Sequence, residues 1–342
     1  MKLGLVHYFF VSLLRVACSK PTNNSVCTIR DILDSSDFSF QFDNSSRYRF
    51  SLGCPFVDRY WCDAKLHEDA TLLVERTNYF CSVPKVSAHA WPHSMHTVWI
   101  VCDSTCRQLF ISLACQLQEV LFPHIYPVAP GIPLSPSHRC VHFHQGGRLC
   151  FYFAGCFSGN CYLPLCPVRR AASKDTCLGE LSSLLRAGDT LFIGLGVHLH
   201  EDEADKVAYE LSLFKRFFKK NSHKVHRVFW LTSSAQHFAT NSGRLYSQVN
   251  NVVGKKVLFR ACKRISYRDG FGIVNNMSSG IIKDLNIPVI PLYGVSQPLW
   301  NLHLTNKKAR KKRSELDCTH FCNPGVPDLW SDLVVAHLYS DQ

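Results

Sequence analysis

Apolar residues recur along this chain in two alternating rhythms. Val98-Trp99-Ile100-Val101 is a short β-rich run that stops at Asp103-Ser104. Beyond it, Leu109, Phe110, Leu113, Leu117, Val120 and Leu121 fall near helical spacing, as one face of a helix does. Residues 122–139 hold five prolines and read as a loop. Residues 140–166 mix β-type residues with glycine and cysteine, and Leu149-Cys150-Phe151-Tyr152-Phe153-Ala154 predicts a strand ending near Gly155.

The pairing then repeats. A helix around Leu181 to Leu185 and a Gly188-Asp189 turn lead into Thr190-Leu191-Phe192-Ile193-Gly194-Leu195-Gly196. That unbroken run suits a parallel strand buried on both faces. Residues 201–220 are acidic early and basic late, the order that suits a helix dipole. Val207, Leu211, Phe214 and Phe218 supply their buried stripe. A strand over Val225 to Leu231, a helix around Ile273 to Leu285 and a strand from Ile287 to Tyr293 follow. Strands alternating with helices predict an α/β domain with a parallel sheet.

Composition adds limits rather than an identity. The 342 residues are enough for one large α/β domain or two smaller ones, and 46% are hydrophobic, enough for a sizeable core. The net charge of +12 favours acidic partners such as nucleic acid, anionic glycans or membrane surfaces. Charge alone does not choose among them.

Residues 1–19 begin Met-Lys, continue through Leu3, Leu5, Val6, Phe9, Phe10, Val11, Leu13 and Leu14, and end in small residues. This is the pattern of a signal peptide. An uncleaved anchor attached to the membrane and a buried N-terminal element are the alternatives. Seventeen cysteines point the same way, toward an oxidising compartment and disulfides. Residues 20–95 read as an irregular, cysteine-bearing segment packed on a main domain over 96–342, with Trp61 and Trp91 as core aromatics or sugar-stacking platforms. Sequons at Asn23, Asn44 and Asn276 are compatible with glycosylation. The run Asn306-Lys307-Lys308-Ala309-Arg310-Lys311-Lys312-Arg313 reads as a solvated loop. His142/His144 and His198/His200 have the spacing of paired ligands on a strand, yet no carboxylate-rich motif accompanies them, so no metal is expected.

Two stretches carry chemistry. Ser104 stands where a strand hands over to a helix. A serine there projects at the usual ligand edge of a parallel sheet, with its N–H and the helix N-terminus able to face a developing oxyanion. An ordinary helix cap is the alternative. The second stretch is Asp317-Cys318-Thr319-His320-Phe321-Cys322-Asn323-Pro324-Gly325-Val326-Pro327-Asp328-Leu329-Trp330. Its Asp-x-x-His spacing suits a carboxylate that fixes an imidazole's tautomer for general-base work. A surface turn stapled by cysteines is the plainer reading.

Together the stretches resemble the PC-esterase domain of plant trichome-birefringence-like polysaccharide O-acetyltransferases. That family's first motif, Gly-Asp-Ser-Leu-Ser-Arg, appears as Cys102-Asp103-Ser104-Thr105-Cys106-Arg107. Its second, Asp-Cys-Ser-His-Trp-Cys-Leu-Pro-Gly-Val-Pro-Asp-Thr-Trp, matches Asp317 to Trp330 at nearly every position. Gly53-Cys54-Pro55-Phe56 is similar to the family's Cys-Pro-Phe, and Thr232-Ser233-Ser234-Ala235-Gln236-His237-Phe238 to its Arg-Thr-x-Ser-Pro-x-His-Phe.

The resemblance implies a three-layer α/β/α SGNH-hydrolase-like fold. It implies Ser104 as nucleophile, His320 as base and Asp317 as the acid that orients it. Gly155, Gly194, Gly196, Arg107 and His237 become oxyanion or substrate candidates. Two departures carry expectations. Cys102 takes the place of a glycine, where its Cβ would crowd the turn. Gly194 takes the place of an asparagine that helps hold the oxyanion, leaving a backbone N–H of Gly194 or Gly196 to compensate.

The implied function is acetyl transfer to hydroxyls of a polysaccharide or glycan through an acyl-enzyme. The acetyl donor would be acetyl-CoA or an acetylated intermediate, with no bound cofactor, no nucleic-acid partner, and a Golgi-lumen or secreted location. A carbohydrate O-acetylesterase uses the same groups with water as acceptor. A glycan-binding protein of weak or no activity is the reading from another class.

Overall fold

The structure is a computed structural model. It describes residues 97–117, 138–143, 146–158, 177–199, 203–244, 262–300, 302–306, 315–323 and 325–339, with two short strands, β1 (Ser39–Phe40) and β2 (Val74–Glu75). The N-terminal 1–19 segment, nearly all of the cysteine-rich segment with Trp61 and Trp91, most of the proline loop, the basic run over 307–313, His144 and His200 lie outside the described residues.

Six strands form one mixed sheet in the order β4-β5-β3-β6-β7-β8. They are β3 (Thr97–Cys102), β4 (His138–His142), β5 (Arg148–Phe153), β6 (Thr190–Ile193), β7 (Arg227–Leu231) and β8 (Val289–Ile290). All neighbours are parallel except the edge strand β4, which runs antiparallel to β5. The strand alternation decides which layer each side chain enters. Val98, Ile100, Phe192, Phe229 and Leu231 point to one core. Trp99, Val101, Leu191, Ile193 and Trp230 point to the other.

Helices cover both faces. The first core is closed by α1 (Ser104–Gln116), α5 (Leu292–Ser296) and α6 (Val326–Tyr339). The second is closed by α2 (Cys177–Leu184), α3 (Ala204–Asn221) and α4 (Tyr267–Asp284). This is the three-layer α/β/α arrangement that the resemblance implied. Burying one large apolar side chain is worth roughly 1.5–3 kcal/mol, so two aromatic-rich layers are the main stabilising term. The core also contains polar bonds: the buried Asp189 carboxylate accepts the Trp99 indole N–H at 2.9 Å and the Arg186 amide at 3.0 Å.

Several expected elements shift. The proline-rich stretch ends sooner than expected, because His138 and Arg139 already pair with β5. On α3, Phe217 is buried and Phe218 only partly so. The apolar run from Ile287 to Tyr293 pairs only over Val289–Ile290; proline has no N–H to donate to a ladder, and past Pro291 the chain turns into α5. α4 starts at Tyr267, six residues before the apolar period becomes visible. Ser266 caps it by accepting the Asp269 N–H, and a kink at Gly272 (φ 71°) interrupts it.

Strand order fixes where a site can form. From β3 the chain moves to β5 on one side, then crosses to β6 on the other. The carboxyl end of β3 is therefore a topological switch point, where the loops after neighbouring strands part and leave a crevice. Ser104 follows β3 by two residues. A separate two-stranded antiparallel sheet, β9 (His303–Asn306) with β10 (Glu315–Phe321), brings the second motif to the same edge.

Candidate active site

The turn from β3 into α1 is held from three directions. Asp103 is the helix N-cap and is fully buried. Its Oδ1 accepts the Thr105 amide at 2.9 Å and the Thr105 hydroxyl at 2.7 Å. Its Oδ2 accepts the Val197 amide at 2.8 Å, from the loop after β6, and lies 3.7 Å from His198 Nε2. A Cβ built on Gly196 would overlap this carboxylate. Gly196 is thus small because Asp103 must reach across to the next loop.

The third restraint is covalent. Cys102 and Cys106 form a disulfide that brackets Ser104. The expectation of crowding at Cys102 is corrected. Its side chain turns to Cys106 in the first turn of α1, and its carbonyl still accepts the Ala154 amide at 2.8 Å. The ring fastens the end of the strand to the start of the helix.

His320 and Asp317 arrive on β10. In a regular strand, residues three apart point to opposite faces. Here the register with β9 shifts between Asp317 and Phe321, and the extra residues of this bulge let the two side chains meet. His320 Nδ1 donates to Asp317 Oδ2 at 2.7 Å. Asp317 Oδ1 accepts the Thr319 and His320 amides at 3.0 and 3.1 Å. Burial pushes the Asp317 carboxyl up, but the imidazole and these two amides outweigh it, and the group is held below its ordinary range. With Nδ1 donating, Nε2 is left to accept, and Ser104 Oγ lies 2.7 Å from it. Hydroxyl, imidazole and carboxylate form one unbroken chain, the arrangement used to activate a serine for attack on an acyl carbon.

A second set of bonds keeps the two halves in register. Gln108, one turn beyond Ser104, donates its amide to the Phe321 carbonyl and accepts the Phe321 N–H at 3.2 Å. Ser112, a further turn along, donates to Asp328, whose other oxygen caps the Gly325 amide at 2.8 Å. Cys318 is tied to Cys262 by a disulfide. Cys115, Cys140, Cys150, Cys156, Cys177 and Cys322 are also disulfide-bonded, Cys140 with Cys150.

Other expected site residues divide. Gly155 follows Ala154 beyond the end of β5, beside His198. Gly196 lies against Asp103. The Gly194 N–H, by contrast, donates to the Val101 carbonyl at 3.0 Å, so it is spent in the extension of the sheet and does not face a ligand. Arg107 lies one turn along α1 from Ser104, only 9% exposed. His237, one of the substrate candidates, is fully buried. Its ring contacts His303 and the Gln297 carbonyl. Among the described residues no group of three His, Cys, Asp or Glu side chains could hold a metal ion.

The helix cap weighed at Asp103-Ser104 is present, on Asp103. Sequence reasoning missed Gln108 and His303; Gln108 carried a signal, as a polar residue one helical turn beyond Ser104. His303 carried none, because its partner lies 66 residues away.

Comparisons with known proteins find one family profile and several plant relatives. Residues 298–337 match the PC-Esterase profile, described as a GDSL/SGNH-like acyl-esterase family found in Pmr5 and Cas1p. The chain is 24% identical over 152 residues to protein trichome birefringence-like 6 of Arabidopsis thaliana, covering 42% of this chain and 30% of that protein. It is 29% identical over 178 residues to probable xylan O-acetyltransferase 11 of Oryza sativa subsp. japonica, covering 47% of this chain and 42% of that one. Xylan O-acetyltransferase 14 of the same rice is 46% identical over 37 residues, 11% of this chain and 8% of the relative. The chain thus matches less than half the length of each of these relatives.

Proposed function

We propose that this chain is a PC-esterase-type protein that transfers an acetyl group to hydroxyls of a polysaccharide or glycan through Ser104, His320 and Asp317. The observation that carries this reading is the pair of 2.7 Å contacts linking Ser104 to His320 and His320 to Asp317 at the switch point of the sheet.

In the proposed first half-reaction His320 Nε2 takes the Ser104 proton as Oγ attacks the acetyl carbonyl. Asp317 stabilises the imidazolium that forms. The tetrahedral oxyanion faces the Ser104 N–H, which as the first helical amide has no partner within its helix, with the N–H groups of Gly155 and Gly196 as further donors. His320 then returns the proton to the leaving group, and Ser104 carries the acetyl ester. In the second half-reaction a sugar hydroxyl gives its proton to His320 and attacks that ester, which releases Ser104.

The donor is acetyl-CoA or an acetylated intermediate, and the acceptor follows the relatives whose names specify xylan. Disulfides at Cys102–Cys106, Cys140–Cys150 and Cys262–Cys318 support folding in the secretory pathway, since such bonds persist in oxidising compartments. Among the described residues no helix is long and apolar enough to cross a membrane.

The test is incubation of purified protein with an acetyl donor and xylo-oligosaccharides. Acetylated sugar and free acetate are measured together, beside Ser104→Ala. Acetylated sugar above the variant's background supports transfer. Acetate alone assigns an esterase. Neither product, across several donors and acceptors and with the protein folded, sinks the reading.

A further inference from the structure

Behind the His320 strand lies a buried row of two imidazoles between two backbone carbonyls. His237 Nε2 is 2.8 Å from the Gln297 carbonyl oxygen. His237 Nδ1 is 2.6 Å from His303 Nε2. His303 Nδ1 is 3.0 Å from the carbonyl oxygen of His320 itself. The His303 ring stacks on Phe321 with centroids 4.0 Å apart. The backbone is tied in as well, since the His237 amide donates to the Cys318 carbonyl at 2.9 Å.

Protons can be counted along this row. Both carbonyls only accept, so His237 Nε2 and His303 Nδ1 must each carry a proton to bond them. The nitrogen–nitrogen contact between the rings then needs a third. Two neutral imidazoles hold only two. A neutral pair therefore always sets two lone pairs against each other at one of the three contacts. Leaving a buried polar contact unmade is costly, since its groups have given up their water. One of the three possible vacancies is the bond to the His320 carbonyl.

We infer that His237 and His303 are positioning residues for His320 that act as a unit, by taking up a single third proton shared between their rings. This rests on the reading of His320 as the general base. The proton comes from solvent and gives the pair one positive charge. Asp317 and His320, both on β10, are the other titratable groups that act on His303; Lys263, on the segment behind His237, meets it through its backbone amide. Burial opposes the charge. It pushes His237 down to about 4, with the Gln297 carbonyl working the other way, and pushes His303 well below its ordinary range. The third proton thus binds on the acid side of the usual histidine value. With it bound, all three bonds form and the His320 backbone is held most firmly.

The test is long-range 1H–15N NMR of the histidine rings in the full chain, wild type and Ser104→Ala, from about pH 7.5 to about 3. Both rings should shift together in one step below the ordinary histidine range, with one strongly deshielded proton between His237 and His303. Rings that titrate separately, or a pair that gains no third proton while the protein stays folded, would overturn the inference. A second measurement reads positioning. His237→Asn and His303→Asn should lower kcat about 10- to 100-fold with KM little changed, and should remove the pair's step from the pH profile. A folded variant with unaltered kcat and pH profile rejects the positioning role. The NMR readout needs no activity, so failure of the acetyl-transfer reading leaves it intact.

Discussion

Gln108 and Phe321 exchange hydrogen bonds in both directions, side-chain amide to backbone peptide, across 213 residues of sequence. Gln108 follows Ser104 by one helical turn, and Phe321 follows His320 directly. The exchange therefore sets the separation of the Ser104 hydroxyl and the His320 ring. Gln108→Ala should leave a buried peptide unsatisfied and cost about 1–3 kcal/mol. Urea unfolding measures that cost. If Ser104 and His320 react as proposed, kcat should fall more than KM changes. Unaltered turnover in a destabilised variant would show that the register is held elsewhere.

Gly194 invites repair, because the motif that this stretch resembles has asparagine there. The geometry predicts that the repair fails. A Cβ on Gly194 would overlap the Leu231 carbonyl, and overpacking of this kind costs about 1–3 kcal/mol. Gly194→Asn should lower the unfolding midpoint without raising acetyl transfer. A more active variant would mean that the loop after β6 has room the structure denies it.

The disulfides should differ in worth. In the chain-entropy account, the stabilisation grows with the loop closed. Cys102–Cys106 spans a separation of 4 and Cys262–Cys318 a separation of 56. The corresponding values are about 2 and about 4 kcal/mol. Paired Cys→Ser replacements followed by denaturant unfolding should keep that order. For activity the order should reverse, because the short ring encloses Ser104.

Stability should fall in mild acid. His237 is lowered from 6.5 to about 4 in the folded chain, so the unfolded chain binds that proton more tightly. Its contribution is complete above 6.5 and is lost as pH falls toward about 4. His303 shifts the same way. Asp317 is also held down, so its contribution is present above its unfolded value and drains away at still lower pH. Unfolding free energy measured against pH should slope downward first through the histidine window. His237→Gln should flatten that first slope and leave the second.

Much of this was legible in the chain. The apolar run Thr190–Ile193, set between the Gly188-Asp189 turn and Gly194, read as a strand covered on both faces, and Ser104 stood visibly at a strand-to-helix turn. The long match from Asp317 to Trp330 singled out the carboxylate and the imidazole that the structure brings together. What the sequence hid was tertiary. The bulge that brings Asp317 to His320 is a register shift against β9. The use of Gly196 as clearance for Asp103 depends on two loops meeting. The meeting of His237 with His303 depends on β9 pairing with β10, and no local pattern encodes it. The strand expected over Ile287 to Tyr293 was overdrawn, because its apolar residues satisfy a short edge strand and a helix equally well.

The most direct measurement is intact mass of the protein after brief exposure to an activated acetyl ester, with Ser104→Ala alongside. The account predicts a transient increment of one acetyl group on the wild type and none on the variant, mapping to the peptide that contains Ser104. Equal labelling of both proteins, or no labelling of a folded wild type by any of several donors, would contradict it.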